Sequence, residues 1–415
     1  MKVLVIGSGG REHAICLALV RDPAVDEIVC APGNAGTAAV AENVPLDVAD
    51  AGAVADLAAR LGADLTIVGP EVPLVAGAVD ELIARGLAAF GPTAAAARLE
   101  GSKTFAKEVM VAAGVPTARA RDHANPVTAL ADLDEFGPPY VIKYDGLAAG
   151  KGVTVTDDRE AAVAAVRDCL KGPDDRVVLE EYLAGPEVSL FVVVAPDGST
   201  VPLAPAQDFK RVGDGDSGPN TGGMGAYSPL PWAPPGLAEQ VVGEVVVPTV
   251  AEMARRGTPY TGLLYVGLAL TASGPKVIEF NCRFGDPETQ AVLARLDSPL
   301  TELLAGAVPR WRDEAAVAVV LAAEGYPAAP VTGGRIRGLD AADAVDGVSV
   351  LHAGTRLEAG GAVVASGGRV LAVTALGTDL ASARESAYEA LARIDLAGAH
   401  FRTDIARAAA VQQHE

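Results

Sequence analysis

In the stretch KVIEFNCRFGDPETQ, Glu279 and Asn281 stand two residues apart on what reads as a strand. Side chains at that spacing leave the same face, so a carboxylate and an amide oxygen project together, a donor pair suited to Mg²⁺ that is also bound by phosphates. Arg283 continues that face, where a guanidinium could stabilise charge on a transferring phosphoryl group or an acyl phosphate. An edge strand with alternating polar positions explains Glu279 and Asn281 equally well, but not the dense FGDPE turn around Asp286 that follows.

A second stretch, YVIKYDGLAAGKGVTV, puts Lys143 in a strand before a loop holding Gly146, Gly150, Lys151 and Gly152. A P-loop has its lysine after the last glycine, at a helix start. Here the lysine precedes the loop and the chain goes on into a strand. The pattern fits a cover over nucleotide phosphates, with glycines for close backbone approach and two lysines for charge; a plain β-hairpin gives the same pattern. In VVLEEYLAGPEVS, a strand runs into Glu180, Glu181, Tyr182 and Leu183, with Glu187 beyond. Such a strand end can pair with an adenine edge, and a later carboxylate can accept from ribose hydroxyls. Taken alone, it reads as a strand leaving the core for solvent.

The N-terminal GSGGREHA sits between an apolar run and a helix-like segment, as in dinucleotide-binding folds. The fingerprint fails twice: its third glycine is Glu12, and EIVCAPGN ends in Cys30 and Ala31 where an acidic residue is required. What survives is that Gly9 and Gly10 permit close backbone approach and that free N–H groups at a helix start suit a phosphate. A turn that only needs small residues is an equal alternative. The polar segment from Asp208 to Ser228 is expected to be a long functional loop, too rich in Gly and Asp for a core element. Among the histidines, His123, His352, His400 and His414 are expected to be structural or solvated, and His13 alone stands in a suggestive turn.

Composition narrows the classes. A formal charge of −20 over 415 residues argues against a general nucleic-acid binder. The four cysteines show neither C-x-x-C spacing nor a dense framework, so neither a zinc site nor a disulfide scaffold is indicated, and a reducing cytoplasm fits best. Only four apolar residues separate Lys2 from Gly7, too few for a signal peptide, and the longer apolar segments are interrupted well short of a bilayer span. Hydrophobic residues make up 50% and aromatics 4%, so cores of Ala, Val and Leu in an α/β architecture are expected.

The elements that must position these residues follow from periodicity. The first hundred residues alternate strand and helix, which implies a parallel sheet whose strand ends GSGG, APGN, VGPE and GPT bring Gly9, Asn34, Glu71 and Thr93 to one crevice. An amphipathic helical stretch runs from Ala94 to about Gly114, with a boundary near Gly101. An α+β region follows, then short strands and one helix after Pro309.

Taken together, Lys103 in GSKTFAK, the lysine strand with its glycine loop, the EEYL strand end with its spaced Glu, and the late Glu-x-Asn-x-Arg strand resemble the ATP-grasp ligases. Within that superfamily, GGREHA, APGNAGT, TIVGPEVPLV, DGLAAGKGV, NTGGMGAYSP, RFGDPETQ, HAGT and GGRVLAVTALG resemble the phosphoribosylamine-glycine ligase family over nearly the whole chain. The resemblance implies a multidomain α/β and α+β protein: a Rossmann-like parallel-sheet domain binding phosphoribosylamine (1–101), a central ATP-grasp domain (102–119 and 190–309), a mobile lid (120–189) and a small C-terminal α+β domain (310–415). It implies ATP and Mg²⁺ or Mn²⁺ as cofactors, glycine and 5-phosphoribosylamine as substrates, and glycinamide ribonucleotide formed through glycyl phosphate in purine synthesis. A cytoplasmic monomer or weak homodimer is expected, with no nucleic acid or membrane partner.

By the same resemblance, Lys103, Lys143, Gly146, Gly150, Lys151 and Gly152 meet the ATP phosphates. Glu180, Glu181, Tyr182 and Leu183 bind the nucleotide, the last three at the adenine, and Glu187 binds the ribose. Glu279 and Asn281 hold the metal, and Arg283 and Asp286 are catalytic. Gly9, Gly10, Arg11, Glu12, His13, Asn34, Glu71, Asp208, Lys210, Gly222 and Gly223 are the substrate-binding set, with GSGGREHA cradling the 5-phosphate. Tyr144 replaces a small residue and by strand alternation should point away from Lys143. Two alternatives stay open: another ATP-grasp ligase or purine carboxylase-like enzyme, and a non-catalytic nucleotide-binding regulator.

Overall fold

The computed structural model describes residues 1–147 and 152–413. The first sheet is parallel throughout, in the order Glu42–Asn43, Glu27–Pro32, Lys2–Gly7, Leu65–Val68, Ala89–Phe90. Its central strand is apolar at successive positions because both faces are covered. Leu4 and Ile6 face the helices Ala51–Leu61 and Ala78–Ala84, and Val3 and Val5 face the helix Gly10–Val20.

The helical stretch after residue 94 is two helices, Ala94–Gly101 and Lys103–Ala113. Ser102 between them is extended (φ −140°, ψ 115°), and its side chain accepts from the Phe105 N–H. Serine serves a helix better as a cap than in the interior. The break places Lys103 at the first position of a new helix.

A four-stranded antiparallel sheet follows, in the order Ala120–His123, Val177–Glu180, Tyr140–Tyr144, Val153–Thr156. The helices Pro126–Phe136 and Arg159–Cys169 cover one face and give it a small core of its own around Leu133, Ile142, Val166 and Leu179. Lys143, Val178 and Glu180 alternate with those core residues and occupy the other face. The central sheet runs Thr200–Pro202, Glu187–Val194, Gly262–Thr271, Gly274–Asn281.

The polar segment from Asp208 is not the irregular loop expected. It folds as a hairpin of Arg211–Gly213 with Ser217–Asn220, then as the strand Gly225–Ser228, all four residues of which are buried. That strand lies between Gln207–Asp208 and Ala315–Ala322 in the C-terminal sheet, which Arg369–Gly377 and Val348–His352 complete. A Cβ on Gly225 would stand 2.7 Å from the Ala318 carbonyl oxygen, so close backbone approach and ladder hydrogen bonds act with the buried Ala226 and Tyr227 in making this strand. The segment after Pro309 therefore does not complete its sheet alone. Among the described residues, no helix is long and apolar enough to cross a membrane.

The separate core of the 120–180 sheet makes it a unit able to open locally. Amide exchange across its strands should slow when ATP and Mg²⁺ are added, measured by hydrogen exchange. Unchanged protection at saturating nucleotide is the result that rules out a lid.

Candidate active site

Three lysines, two from the helix Lys103–Ala113 and one from the strand Tyr140–Tyr144, gather near the end of the central sheet. A bulge at Ile278, where pairing steps from Gly267–Glu279 to Leu268–Val277, leaves the Ile278 carbonyl out of the ladder. Lys143 Nζ donates to that carbonyl at 3.0 Å and pairs with Glu180 Oε2 at 2.9 Å. Lys107 Nζ approaches the same Glu180 oxygen at 3.3 Å and also donates to Thr117 Oγ1 and the Ala118 carbonyl. Glu180 is thus committed to both lysines. Only 2% exposed, it is the shared counter-ion of two buried lysines, because a carboxylate is what keeps charge tolerable there. Burial lowers Lys107 to about 8 against the pull of Glu180. Tyr144 points away from Lys143, as alternation requires, and its hydroxyl donates to Asp175 Oδ1 at 3.2 Å.

Lys103 Nζ donates to the Gly146 carbonyl at 3.0 Å, while Asp145 caps the new helix by accepting from the N–H groups of Lys103 and Thr104. Burial, offset in part by Glu279 and reinforced by Lys143, holds Lys103 below the usual lysine range. Gly152 accepts from the Tyr144 N–H. Gly150, Lys151 and His414 lie outside the described residues.

Glu279 and Asn281 are half-buried on one face, with Phe280 buried between them. Among the described residues, neither side chain has a hydrogen-bond partner. Burial raises the Glu279 pKa, but Lys210, Lys143 and Lys103 outweigh it and keep the carboxylate charged. An ionised carboxylate beside an uncommitted amide oxygen fits a hard cation.

On the nucleotide side, the Glu181 N–H donates to the Arg119 carbonyl, and its side chain lies 3.6 Å from Lys276. Tyr182 is exposed and Leu183 half-buried on the connection to the central sheet. Glu187 Oε2 pairs with Lys210 Nζ at 2.7 Å. Burial pushes Asp208 up to about 7 although Lys210 opposes it, with Glu288, Glu187 and Glu279 adding. Burial works against the charge on Lys210, yet Glu187 and Asp208 raise it.

The turn after Asn281 collects the remaining candidates. The strand ends at Asn281, so Arg283 does not continue its face. The guanidinium instead bonds Glu71 Oε2 at 3.2 Å and Glu100 Oε1 at 3.0 Å, and donates to the Phe284 carbonyl at 3.1 Å. Arg11 donates to that same carbonyl at 3.0 Å and to Glu12 Oε1 at 2.6 Å. Asp286 Oδ2 lies 3.2 Å from Arg369. Burial raises the Asp286 carboxyl, but Arg369 and Arg11 bring it below its usual value. Gly222 has both polar groups committed, its N–H to the Tyr326 hydroxyl and its carbonyl to Arg369, while the Gly223 N–H is held by Thr221. Gly222 thus has its N–H and one carbonyl lone pair committed within the fold.

The N-terminal turn explains its own exception. Glu12 reaches back so that Oε2 accepts from the Gly9 N–H at 2.5 Å, and a Cβ on Gly7 or Gly69 would collide with its side chain. Glu12 fills the space that the third glycine leaves open in dinucleotide folds, and one N–H expected to be free is taken. The positive φ lies at Gly7, not Gly10, which is the first helical residue; a Cβ there would stand 2.8 Å from Gln290 Nε2. Asn34 donates to the carbonyls of Ser8 and His352 and accepts from Gly36 and Thr37, so its amide is spent on joining loops. Thr93 caps the helix Ala94–Gly101 instead of reaching the crevice. His13 meets His352, 339 positions away: its Nδ1 accepts the His352 N–H at 2.9 Å, and the rings lie edge to face.

Sequence reading missed Lys107, Asp145, Glu100 and Arg369. Lys107 alone carried a signal, since it lies one helical turn beyond Lys103.

Three family models match in succession: the phosphoribosylglycinamide synthetase N domain at 1–100, its ATP-grasp (A) domain at 101–289 and its C domain at 316–408. The phosphoribosylamine–glycine ligase of Streptomyces coelicolor is 60% identical over 99% of this chain and 100% of its own length, and that of Mycobacterium leprae is 55% identical over 99% of both. The chain belongs to the phosphoribosylamine–glycine ligase family. Among solved structures, the phosphoribosylamine–glycine ligase of Thermotoga maritima has a TM-score of 0.85 at 33% identity, covering 98% of this chain and 100% of that one. A biotin carboxylase from Campylobacter jejuni, at 14% identity and a TM-score of 0.72 over 96% of this chain and 92% of its own, shares the fold.

Two outcomes test this account of the ligase. Glu180→Ala strands two buried ammonium groups and should cost about 3–5 kcal/mol in denaturant unfolding, whereas a surface ion pair is worth about 1 kcal/mol or less. The second concerns the histidine pair. Burial lowers His13 to about 3, with His352 adding, and lowers His352 to about 4. Both are neutral in the folded and unfolded chain above the ordinary histidine value, so their stability contribution is complete there. As pH falls below about 6.5 the unfolded chain binds protons that the folded one refuses, removing about 2 kcal/mol per histidine by pH 5. His13→Asn should flatten the fall in melting temperature between pH 7 and pH 5; an unchanged slope contradicts the assignment.

Proposed function

We infer that this chain joins glycine to 5-phosphoribosylamine in an ATP-driven reaction that yields glycinamide ribonucleotide, ADP and phosphate. The observation that carries the reading is the pair Glu279 and Asn281 on one strand face, neither with a side-chain partner among the described residues, where Lys210, Lys143 and Lys103 from separate stretches of the chain keep the carboxylate charged. That arrangement matches a polyphosphate chain bound together with a divalent cation.

In this reading Lys103 and Lys143 neutralise the ATP phosphates, and the segment from Glu181 to Leu183 borders the adenine. Glu187, already paired with Lys210, accepts from the ribose hydroxyls. Glu279 and Asn281 hold Mg²⁺ or Mn²⁺, whose charge, when bound, offsets that of the phosphates. A glycine carboxylate oxygen attacks the γ-phosphorus, the bond to the β-phosphate oxygen breaks, and ADP leaves from glycyl phosphate. The amine of phosphoribosylamine then attacks the glycyl carbonyl carbon, phosphate departs with the C–O electron pair, and the nitrogen loses a proton. Asp286, held ionised, faces the acceptor, and the start of the helix Gly10–Val20 lies toward its 5-phosphate. Four free cysteines suit a reducing cytoplasm, and a monomer or weak homodimer fits the same reading.

Coupled ADP release with each substrate omitted in turn decides between acceptors. Release that needs both glycine and phosphoribosylamine supports the ligase; release independent of glycine indicates another ATP-grasp reaction, and none at all a regulator. Glu279→Gln keeps the side chain's shape and removes the charge, so turnover should fall by about two orders of magnitude or more while melting temperature stays near wild type. Near-normal activity across a Mg²⁺ titration would remove the metal assignment.

A further inference from the structure

Arg369 opens the strand Arg369–Gly377 and reaches out of the C-terminal sheet to the turn after Asn281. One terminal nitrogen donates to the carbonyls of Gly222 and Asp286, both at 2.6 Å, and the other lies 3.2 Å from Asp286 Oδ2. The second carboxylate oxygen, Oδ1, accepts from Gln290 Nε2 at 2.8 Å. A single planar fork thus grips the main chain and the side chain of one residue, and both carboxylate oxygens are fixed. Lysine could supply the charge but not this fork.

Gly222 makes room for it, and Gly223 for the turn that it grips. A Cβ on Gly222 would stand 3.1 Å from the guanidinium carbon, and one on Gly223, at φ +112°, would stand 2.4 Å from Pro287 Cδ. Gly222 is small because the guanidinium lies against its Cα. Two features with no sequence connection, the GG of NTGGMG and the arginine of GGRVLAV, therefore serve the same placement.

We propose that Arg369 is a positioning residue for the acceptor half of the reaction: it holds the Asp286 carboxylate where it meets the amine-bearing sugar phosphate, and makes that placement depend on the docking of the C-terminal sheet. The proposal rests on the reading of Asp286 as the group facing phosphoribosylamine. The charged groups around Asp286 are Arg369, Arg11 from the helix Gly10–Val20 and Arg283 from its own turn, with the Glu12 carboxylate on the other side of Gly9. Removing Arg369 leaves Arg11 and Arg283 in place, so the carboxylate loses its orientation before it loses all its compensation.

The test uses the full chain and ADP release, with phosphoribosylamine formed in the assay from ribose 5-phosphate and ammonia, and each substrate varied separately. In Arg369→Ala, kcat/KM for phosphoribosylamine should fall about 100-fold while the KM values for ATP and glycine move less than about twofold. Free guanidinium should restore part of that loss and have no such effect on wild type, and the acid limb of the pH profile for phosphoribosylamine should move to higher pH. Arg369→Lys should fall between wild type and Arg369→Ala. Equal changes for all three substrates, wild-type kinetics, or a defect that guanidinium does not relieve overturns the proposal. Where Arg369→Ala does not fold, Gly222→Ala, which crowds the guanidinium from the opposite side, is read by the same substrate split. A wild-type chain without glycine-dependent ADP release would instead sink the functional reading on which this one stands.

Discussion

Three arginines grip one short turn, Arg283 to Pro287, and through it tie the first helix, the central sheet and the C-terminal sheet together. Arg11 and Arg283 share the Phe284 carbonyl, and Arg369 takes the Asp286 carbonyl two residues later. They arrive from the first helix, from the turn itself and from the last sheet. Each brings a buried or half-buried carboxylate as counter-charge: Glu12 for Arg11, Glu71 and Glu100 for Arg283, Asp286 for Arg369. Deleting any member leaves a desolvated charge behind, so the cluster resists piecemeal change. Guanidinium suits this duty because its donors diverge in a plane and can serve a carbonyl and a carboxylate at once.

A second cluster, of lysines and carboxylates, fastens the 120–180 sheet to the helix Lys103–Ala113. Lys143 stands on the sheet with its own small core, Lys107 on the helix that Ser102 starts, and Glu180 holds both. Asp145 ties the start of that helix to the same sheet through the Lys103 and Thr104 amides. These contacts between the 120–180 sheet and its neighbours are ionic or polar, and that sheet keeps an apolar core of its own. Contacts of that kind can separate without exposing much hydrophobic surface.

Between the clusters runs the segment from Asp208 to Ser228. Its hairpin is fastened near its turn by Arg402, which bonds Asp216 and the Arg211 carbonyl, and by the Thr403 N–H on Asp214. At its other end Asn220 donates to the Val153 carbonyl at the edge of the 120–180 sheet. Polar residues that look like disordered loop chemistry are here the material of inter-element hydrogen bonds.

Local chemistry was legible in the sequence: the period-two spacing of Glu279 and Asn281, the strand–helix alternation of the first hundred residues, the orientation of Tyr144, the failed dinucleotide fingerprint at Glu12. Each depends on neighbours within a few positions, where backbone geometry fixes what a side chain can face. Partnership across the chain was not legible. Nothing in EEYL says that Glu180 is buried between two lysines, nothing in APGN that Asn34 spends its amide on Ser8 and His352, and nothing in GAYS that four small or polar residues form a buried strand. Those outcomes depend on which distant carbonyl, cation or strand edge arrives, and only tertiary packing brings residues 339 positions apart, such as His13 and His352, within hydrogen-bond distance. The sequence by itself determined which chemical groups are present and, over the regular stretches, the strand or helix that carries them; the folded structure decided which of them are committed to one another and which, like Glu279 and Asn281, have no hydrogen-bond partner among the described residues, because a buried charge or amide is costly without a partner and most find one.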